Sequence, residues 1–243
     1  MAETHLLSQA RLELHGYEWF GHNRELIHKR AKRGSGGVGF FIKNDVCDNF
    51  DIQILDDNFE GILWLKMVHK IDKSVILPCV CYLPPENSSR NFDVLAFYDQ
   101  LRTDIYRYQK DGLVYICGDF NSRCGDLEDF ISGVDEVSAR NVVDFTVNSY
   151  GDKFIELLID SNFCILNGRN YVTNDFTSIS TRGAAVVDYC VVSHVNLDSF
   201  QNFCVTTVND MINAIGNLPV STTAGRPDHS LLTWDIIVNS YVM

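Results

Sequence analysis

Leu113–Cys124 reads LVYICGDFNSRC. Its first five residues, Leu113–Cys117, are continuously apolar, the pattern of a strand buried on both faces. Gly118 then lets the backbone turn. Asp119 and Asn121 follow two apart, so in extended chain both side chains face the same way. A carboxylate and an amide presented together at a strand's end can orient water beside a metal-bound phosphate. The same pair also suits an Asx turn that caps the loop.

Similar apolar runs lie on both sides of this stretch: Gly37–Ile42 (GVGFFI), Ile62–Val68, Ser74–Tyr82 (SVILPCVCY), Phe163–Leu166, Ala184–Val192 (AAVVDYCVV) and Leu231–Val238. Each reads as a strand, with Pro78 awkward in a central ladder and pointing to an edge, a bulge or a misplaced boundary. Apolar residues spaced three and four apart predict helices over Asp93–Tyr108 and Asp144–Asp160, with shorter ones over Asp126–Phe130 and Val208–Ile215. Two sheets with helices outside them, in a single domain over residues 1–243, is the arrangement this order predicts.

Composition excludes several classes. Of the 243 residues 46% are apolar and 21% charged, which rules out disorder, collagen-like repeats and coiled coil. The longest apolar stretches fall far short of the ~18 residues a membrane span needs, so no membrane partner is expected. With 20 basic and 32 acidic residues the formal charge is −12, which argues against bulk electrostatic binding of nucleic acid. The dense basic run is Arg24–Arg33 (RELIHKRAKR), readable as an exposed loop or as a clamp on a nucleic-acid backbone. Eight cysteines sit mostly inside apolar runs without finger spacing, where thiols behave as small hydrophobes. With no signal peptide at its start, the chain reads as one of a reducing compartment, not a secreted protein.

Asp188 lies inside the apolar run Ala184–Val192, and a buried carboxylate there needs a His, Arg or metal partner. His229, in Gly225–Leu232 (GRPDHSLL), is the candidate partner, since an Asp on one imidazole nitrogen aims the other outward. His15, His22, His28 and His69 fall in polar stretches, while His5 and His194 read as structural. Glu3 is an acid near the chain start, and Tyr82 ends a strand before the rigid Leu83–Pro85 (LPP). No GxSxG occurs, and Gly34–Gly39 is no Walker loop because no GK[ST] follows. Carboxylates, an Asn, a Tyr and one His at strand ends suit metal-assisted hydrolysis of a phosphate ester.

These stations, in order, are ETHL at Glu3–Leu6, GGVGFFIK at Gly36–Lys43, CYLPP at Cys81–Pro85, GDFN at Gly118–Asn121, LNG at Leu166–Gly168, VDYCVVS at Val187–Ser193 and DHSLL at Asp228–Leu232. Together they resemble the endonuclease/exonuclease/phosphatase superfamily, most closely the apurinic/apyrimidinic-like endonuclease domains of non-LTR retrotransposons. The resemblance implies a deoxyribonuclease-like α/β (α+β) four-layer sandwich, two packed mixed sheets flanked by helices. It implies that Glu3 is the principal Mg²⁺ ligand, with Mn²⁺ able to substitute, and that Asp228 helps complete the metal pocket. Asp119 would position or deprotonate the attacking water, Asn121 would hold Asp119 and a phosphate oxygen, and Tyr82 would contact the scissile phosphate. His229 would donate to that phosphate with Asp188 behind it. Arg169 and Arg182, flanking a hairpin over Tyr171–Gly183, would meet DNA phosphates.

The activity so implied is a Mg²⁺-dependent endonuclease that nicks one strand of double-stranded DNA and leaves a 3′-hydroxyl, as in retrotransposon integration. Its setting would be the nucleus, or otherwise the cytoplasm, as a monomeric domain of a larger retroelement polyprotein. Two departures stand out: the family's first strand would lie upstream of Met1, and Pro227 replaces the family's Ser before Asp228. The alternatives are a phosphatase or phosphodiesterase on a small or lipid phosphate ester, and a non-catalytic relic.

Overall fold

The computed structural model describes residues 1–7, 10–24, 35–88, 92–215 and 227–238. The chain forms β1 (Tyr17–His22), β2 (Val38–Lys43), α1 (Asn44–Asn49), β3 (Phe50–Asp56), β4 (Ile62–His69), β5 (Val75–Tyr82), α2 (Val94–Tyr108) and β6 (Leu113–Asp119). There follow α3 (Ser149–Ser161), β7 (Phe163–Ile165), β8 (Tyr171–Thr173), β9 (Ser178–Ser180), β10 (Gly183–Ala185) and β11 (Asp188–Ser193). A 3₁₀ turn, β12 (Phe200–Thr206), α4 (Val208–Ile215) and β13 (Leu231–Ile236) complete the order. The result is an α/β fold with two mixed sheets and flanking helices. Its contacts divide into two compact units, Met1–Asn121 with Tyr189–Ser193, and Ser122–Asp188 with His194–Val238.

The first unit is built on strands in the order β3-β4-β5-β6-β11. β3, β4 and β5 are antiparallel neighbours, while β5 and β6 run parallel. The continuous apolar runs of β4 and β5 reflect burial on both faces. On one face Val38, Leu63, Val80 and Tyr82 pack together under Phe40 of the β1–β2 hairpin. On the other lies α2, whose Phe97, Leu101, Ile105 and Tyr108 form the buried stripe that its spacing predicts. The Asp93 side chain caps α2 by accepting from the Ala96 N–H at 3.0 Å. β5 is central, and its ladder to β4 runs through Cys79–Cys81 and again through Val75–Ile76, breaking at Pro78, which has no N–H to give.

In the second unit β12 lies between β13, antiparallel to it, and β8, parallel to it. α3 starts at Ser149, five residues later than its periodicity predicts. Asp144 is drawn away to bind the Arg123 guanidinium and the Thr146 and Val186 N–H groups, and the Asn148 side chain caps the helix through the Gly151 N–H. Asp126–Phe130 is turns and bends, not a helix, because the Asp129 carboxylate serves Arg169 and the Ile165 N–H far along the chain. The run Ala184–Val192 is two strands: β10 ends at Ala185 and β11 begins at Asp188. The expected hairpin over Tyr171–Gly183 is shorter and shifted, since β9 pairs with β10 while β8 pairs with β12.

Candidate active site

In the first unit the chemistry collects at the carboxyl ends of the parallel pair β5–β6, the edge where α/β sheets present ligand groups. Tyr82 and Asp119 are register partners there, so their side chains leave the same face of the sheet. Gly118 precedes Asp119 at φ +148°, and a Cβ there would collide with the Cys81 carbonyl oxygen. The turn that Gly118 permits lets the Leu83 N–H bond the Asp119 carbonyl at 2.9 Å, which ties both strand ends together.

Asp119 is buried, and its carboxylate accepts from the Asn121 backbone N–H at 2.9 Å and from Asn121 Nδ2 at 3.0 Å. Asn121 Nδ2 also donates to the Leu83 carbonyl at 2.8 Å. The Asx-turn reading of this pair is therefore true of its geometry, and it leaves the carboxylate rigidly aimed. Glu3 arrives from the chain start, where Ala2 bridges Val38 and the Thr4 and His5 N–H groups bond Gly37 and Gly36. The Tyr82 hydroxyl donates to Glu3 Oε1 at 2.8 Å.

The second unit holds the other half of the expected set. His229 Nδ1 lies 3.0 and 2.8 Å from the two Asp188 oxygens. Nδ1 facing a carboxylate must carry the hydrogen, which leaves Nε2 directed away from Asp188. Asp228 is exposed and lines a cleft of about 460 Å³ with Ser180, Thr207, Asn209 and Ser230. Arg182 is exposed at the turn of the β9–β10 hairpin. That hairpin is fastened to the histidine segment by the Ile179 N–H, which donates to the Asp228 carbonyl at 2.7 Å, and by a bridge from Ser178 to His229.

Arg169 is placed otherwise than its motif suggests. It is 2% exposed, and its two amino groups bind both oxygens of Asp129 at 2.7 and 2.8 Å. Burial pushes the Asp129 carboxyl up, but the bonds and charge of Arg169, with Arg140, outweigh it and hold its pKa below the ordinary value. A guanidinium so committed is a structural ion pair and has nothing to offer a DNA phosphate. Of the basic run Arg24–Arg33, residues 25–33 lie outside the described residues, while Arg24 ion-pairs with Glu60 at 3.0 Å.

Residues 1–209 match the sequence model of the Endonuclease/Exonuclease/phosphatase family. The chain belongs to that family. No curated protein sequence matches it. Among solved structures it is similar to an AP endonuclease, LMAP, from Leishmania major (TM-score 0.63, 15% identity, 92% of this chain and 72% of that one). It is also similar to the endonuclease domain of TRAS1, a telomere-specific non-LTR retrotransposon (TM-score 0.57, 13% identity, 93% and 82%). A third similar structure is the 3′ phosphatase NExo from Neisseria bound to a product DNA hairpin (TM-score 0.58, 12% identity, 98% and 87%). At these identities the likeness is one of fold.

Membership makes the chain a hydrolase of phosphate ester bonds, and a small group of acidic and histidine side chains among the described residues could hold a divalent cation. Carboxylate oxygens such as those of Asp119 are the hard ligand type that Mg²⁺ takes, and Asp119 is already oriented by amide donors. No described helix is long and apolar enough to cross a membrane. Two residues that position the second half escaped the sequence reading, Thr177 and Asp144. Asp144 accepts from Val186, and Thr177 Oγ1 from Val187 and Asp188, so three consecutive N–H groups end on side chains. The sequence signal was the interruption these imply, hidden by an unbroken apolar run.

Proposed function

We propose that the chain is a Mg²⁺-dependent DNA endonuclease that nicks one strand and leaves a 3′-hydroxyl. The observation that carries this reading is the joining of the His229–Asp188 pair to a hairpin with an exposed arginine, Arg182, at its turn. A phosphate-facing imidazole attached to a projecting basic hairpin suits a polymer that extends past the scissile bond better than a small ester. The retrotransposon-like motifs favour a nuclear target and a domain acting within a longer polyprotein.

A bound divalent cation, with Glu3 as its principal ligand, would offset the charge that builds on the phosphate oxygens. Asp119 takes a proton from the attacking water, and the Asn121 amide keeps it aimed. The water oxygen bonds to phosphorus and the bond to O3′ breaks, so the departing O3′ takes a proton from a solvent water and the 5′ side keeps the phosphate. The Tyr82 hydroxyl holds Glu3 and borders the phosphate. His229 donates from Nε2 to a phosphate oxygen, and Asp188 stabilises the imidazolium this requires.

Supercoiled plasmid, incubated with Mg²⁺ or with EDTA, tests the reading. Nicked circles should form with Mg²⁺ alone, and their ends should prime a DNA polymerase. Asp119→Asn should lower turnover by ~100-fold or more, and His229→Ala by a similar factor. No metal-dependent nick at enzyme concentrations near the plasmid's would sink it. Faster phosphate release from inositol phosphates or 3′-phosphorylated DNA would favour the phosphatase alternative, which the net charge of −12 makes credible.

A further inference from the structure

We infer that Thr177 is a positioning residue that holds Asp188 and His229 in register with one another, an inference that rests on the phosphate-ester reading of that pair. Thr177 is completely buried and sits just before β9. Its Oγ1 accepts the Val187 N–H at 2.9 Å and the Asp188 N–H at 3.0 Å, one lone pair for each. Its backbone N–H donates to the Ala185 carbonyl at 3.1 Å, and its carbonyl accepts the Ser230 N–H at 2.7 Å. One residue therefore grips the backbone of Asp188 on one side and that of Ser230, next to His229, on the other.

The surrounding bonds make this grip a clamp. Asn167 Nδ2 donates to the Asp188 carbonyl at 3.0 Å, so both peptide groups of Asp188 are held by side chains. Ser230 Oγ donates to the Phe176 carbonyl at 2.9 Å, which fastens the histidine segment to the residue before Thr177. Without Oγ1, the Val187 and Asp188 N–H groups would have to find other partners. The backbone of Asp188 would turn to reach them, and the carboxylate would leave the imidazole. The clamp acts on His229 through Asp188; Thr177 itself touches no substrate.

The test is a graded series at one position: Thr177→Ser keeps the hydroxyl, Thr177→Cys supplies a weaker sulfur acceptor, and Thr177→Val keeps the shape without an acceptor. Nitrogen NMR of histidine-labelled protein reports the His229 tautomer without requiring turnover. Read at a pH where the imidazole is neutral, wild type and Thr177→Ser should show the Nδ1–H form, Thr177→Val a mixture, and Thr177→Cys an intermediate. Plasmid-nicking kcat should fall ~10–100-fold in Thr177→Val, the scale of a small misplacement at a reacting group, with KM nearly unchanged. A lower denaturation midpoint with wild-type tautomer and kcat would mean a merely structural role and overturn the inference. If Thr177→Val does not fold, a wild-type His229 spectrum in Thr177→Cys overturns it equally. A series that shifts the tautomer in a protein unable to nick DNA would keep the clamp and discard the nuclease.

Discussion

Asp104 in the first unit and Asp129 in the second are both withdrawn from solvent, 2% and 0% exposed, but they are held by opposite chemistry. Asp104 takes its bonds from neutral donors, Trp64 Nε1 at 3.1 Å and Gln100 Nε2 at 2.8 Å. Burial pushes its pKa up to about 6 in spite of them. Asp129 has a bidentate guanidinium, and its pKa goes down. The contrast recurs among the carboxylates of the proposed site, where Asp119 receives amide N–H groups and Asp188 an imidazole. An amide orients a carboxylate and leaves its negative charge available to a cation or a proton. A basic partner absorbs that charge into the scaffold or into an imidazolium. Asp119 thus keeps its charge for a cation or a proton, while the charge of Asp188 is committed to the imidazole.

Breaking the ion pair should have the largest effect on stability. Asp129→Asn leaves Arg169 and Arg140 without their buried counter-charge and should cost ~3–5 kcal/mol, read from urea midpoints. Asp104→Asn keeps an acceptor for Trp64 and should cost far less at pH 7, within ~1 kcal/mol. Equal losses would erase the distinction between the two sites.

Next in size is a dependence on pH. Asp104 is raised from an ordinary value of 3.8 to about 6, so the folded state holds its proton more tightly. Its contribution is present in full below the unfolded value and is lost as pH rises through the folded one. Relative to Asp104→Asn, the wild type should therefore lose ~2 kcal/mol between pH 4 and pH 7. Asp129 has the reverse sign, its stabilisation lasting from neutral pH down to its depressed pKa. Parallel stability curves for wild type and Asp104→Asn would refute the first half.

Two smaller effects concern the site. Tyr82→Phe removes the hydroxyl from Glu3 and should cost ~1 kcal/mol of transition-state stabilisation, a several-fold drop in kcat/KM. Arg182→Ala should weaken DNA binding modestly and evenly across sequences, lowering the slope of log affinity on log salt by about 1. A Tyr82→Phe enzyme at full rate would detach Tyr82 from the chemistry. An unchanged salt slope would remove Arg182 from the DNA contacts.

Local pattern made much of this legible. The stripe of α2, the strand before Gly118 and the Asp119–Asn121 pair all depend on neighbours within four residues, where spacing is informative. His229 could be matched to Asp188 because a charge inside an apolar run demands a partner. Arg169 was misread because an arginine beside a loop motif looks the same in sequence whether it meets solvent or Asp129, 40 residues away. Thr177 was invisible for a related reason, since one hydroxyl among Thr177–Thr181 has no spacing that marks it as a clamp. β1, β3 and β12 were missed because their apolar residues are interspersed with Gly, Asp, Gln and Asn, which hide a strand that covers one face of a sheet.

The eight cysteines are free thiols, and five of them are buried: Cys79, Cys81 and Cys190 in the first unit, Cys124 and Cys164 in the second. Burial raises the Cys79 and Cys164 pKa values, the latter to about 12, so neither reacts as a thiolate while the chain stays closed. A thiol reagent added to the native protein therefore acts as a stopwatch. It labels a buried cysteine only when the strand around it opens, and peptide-resolved labelling times Cys79 against Cys164, one clock in each unit.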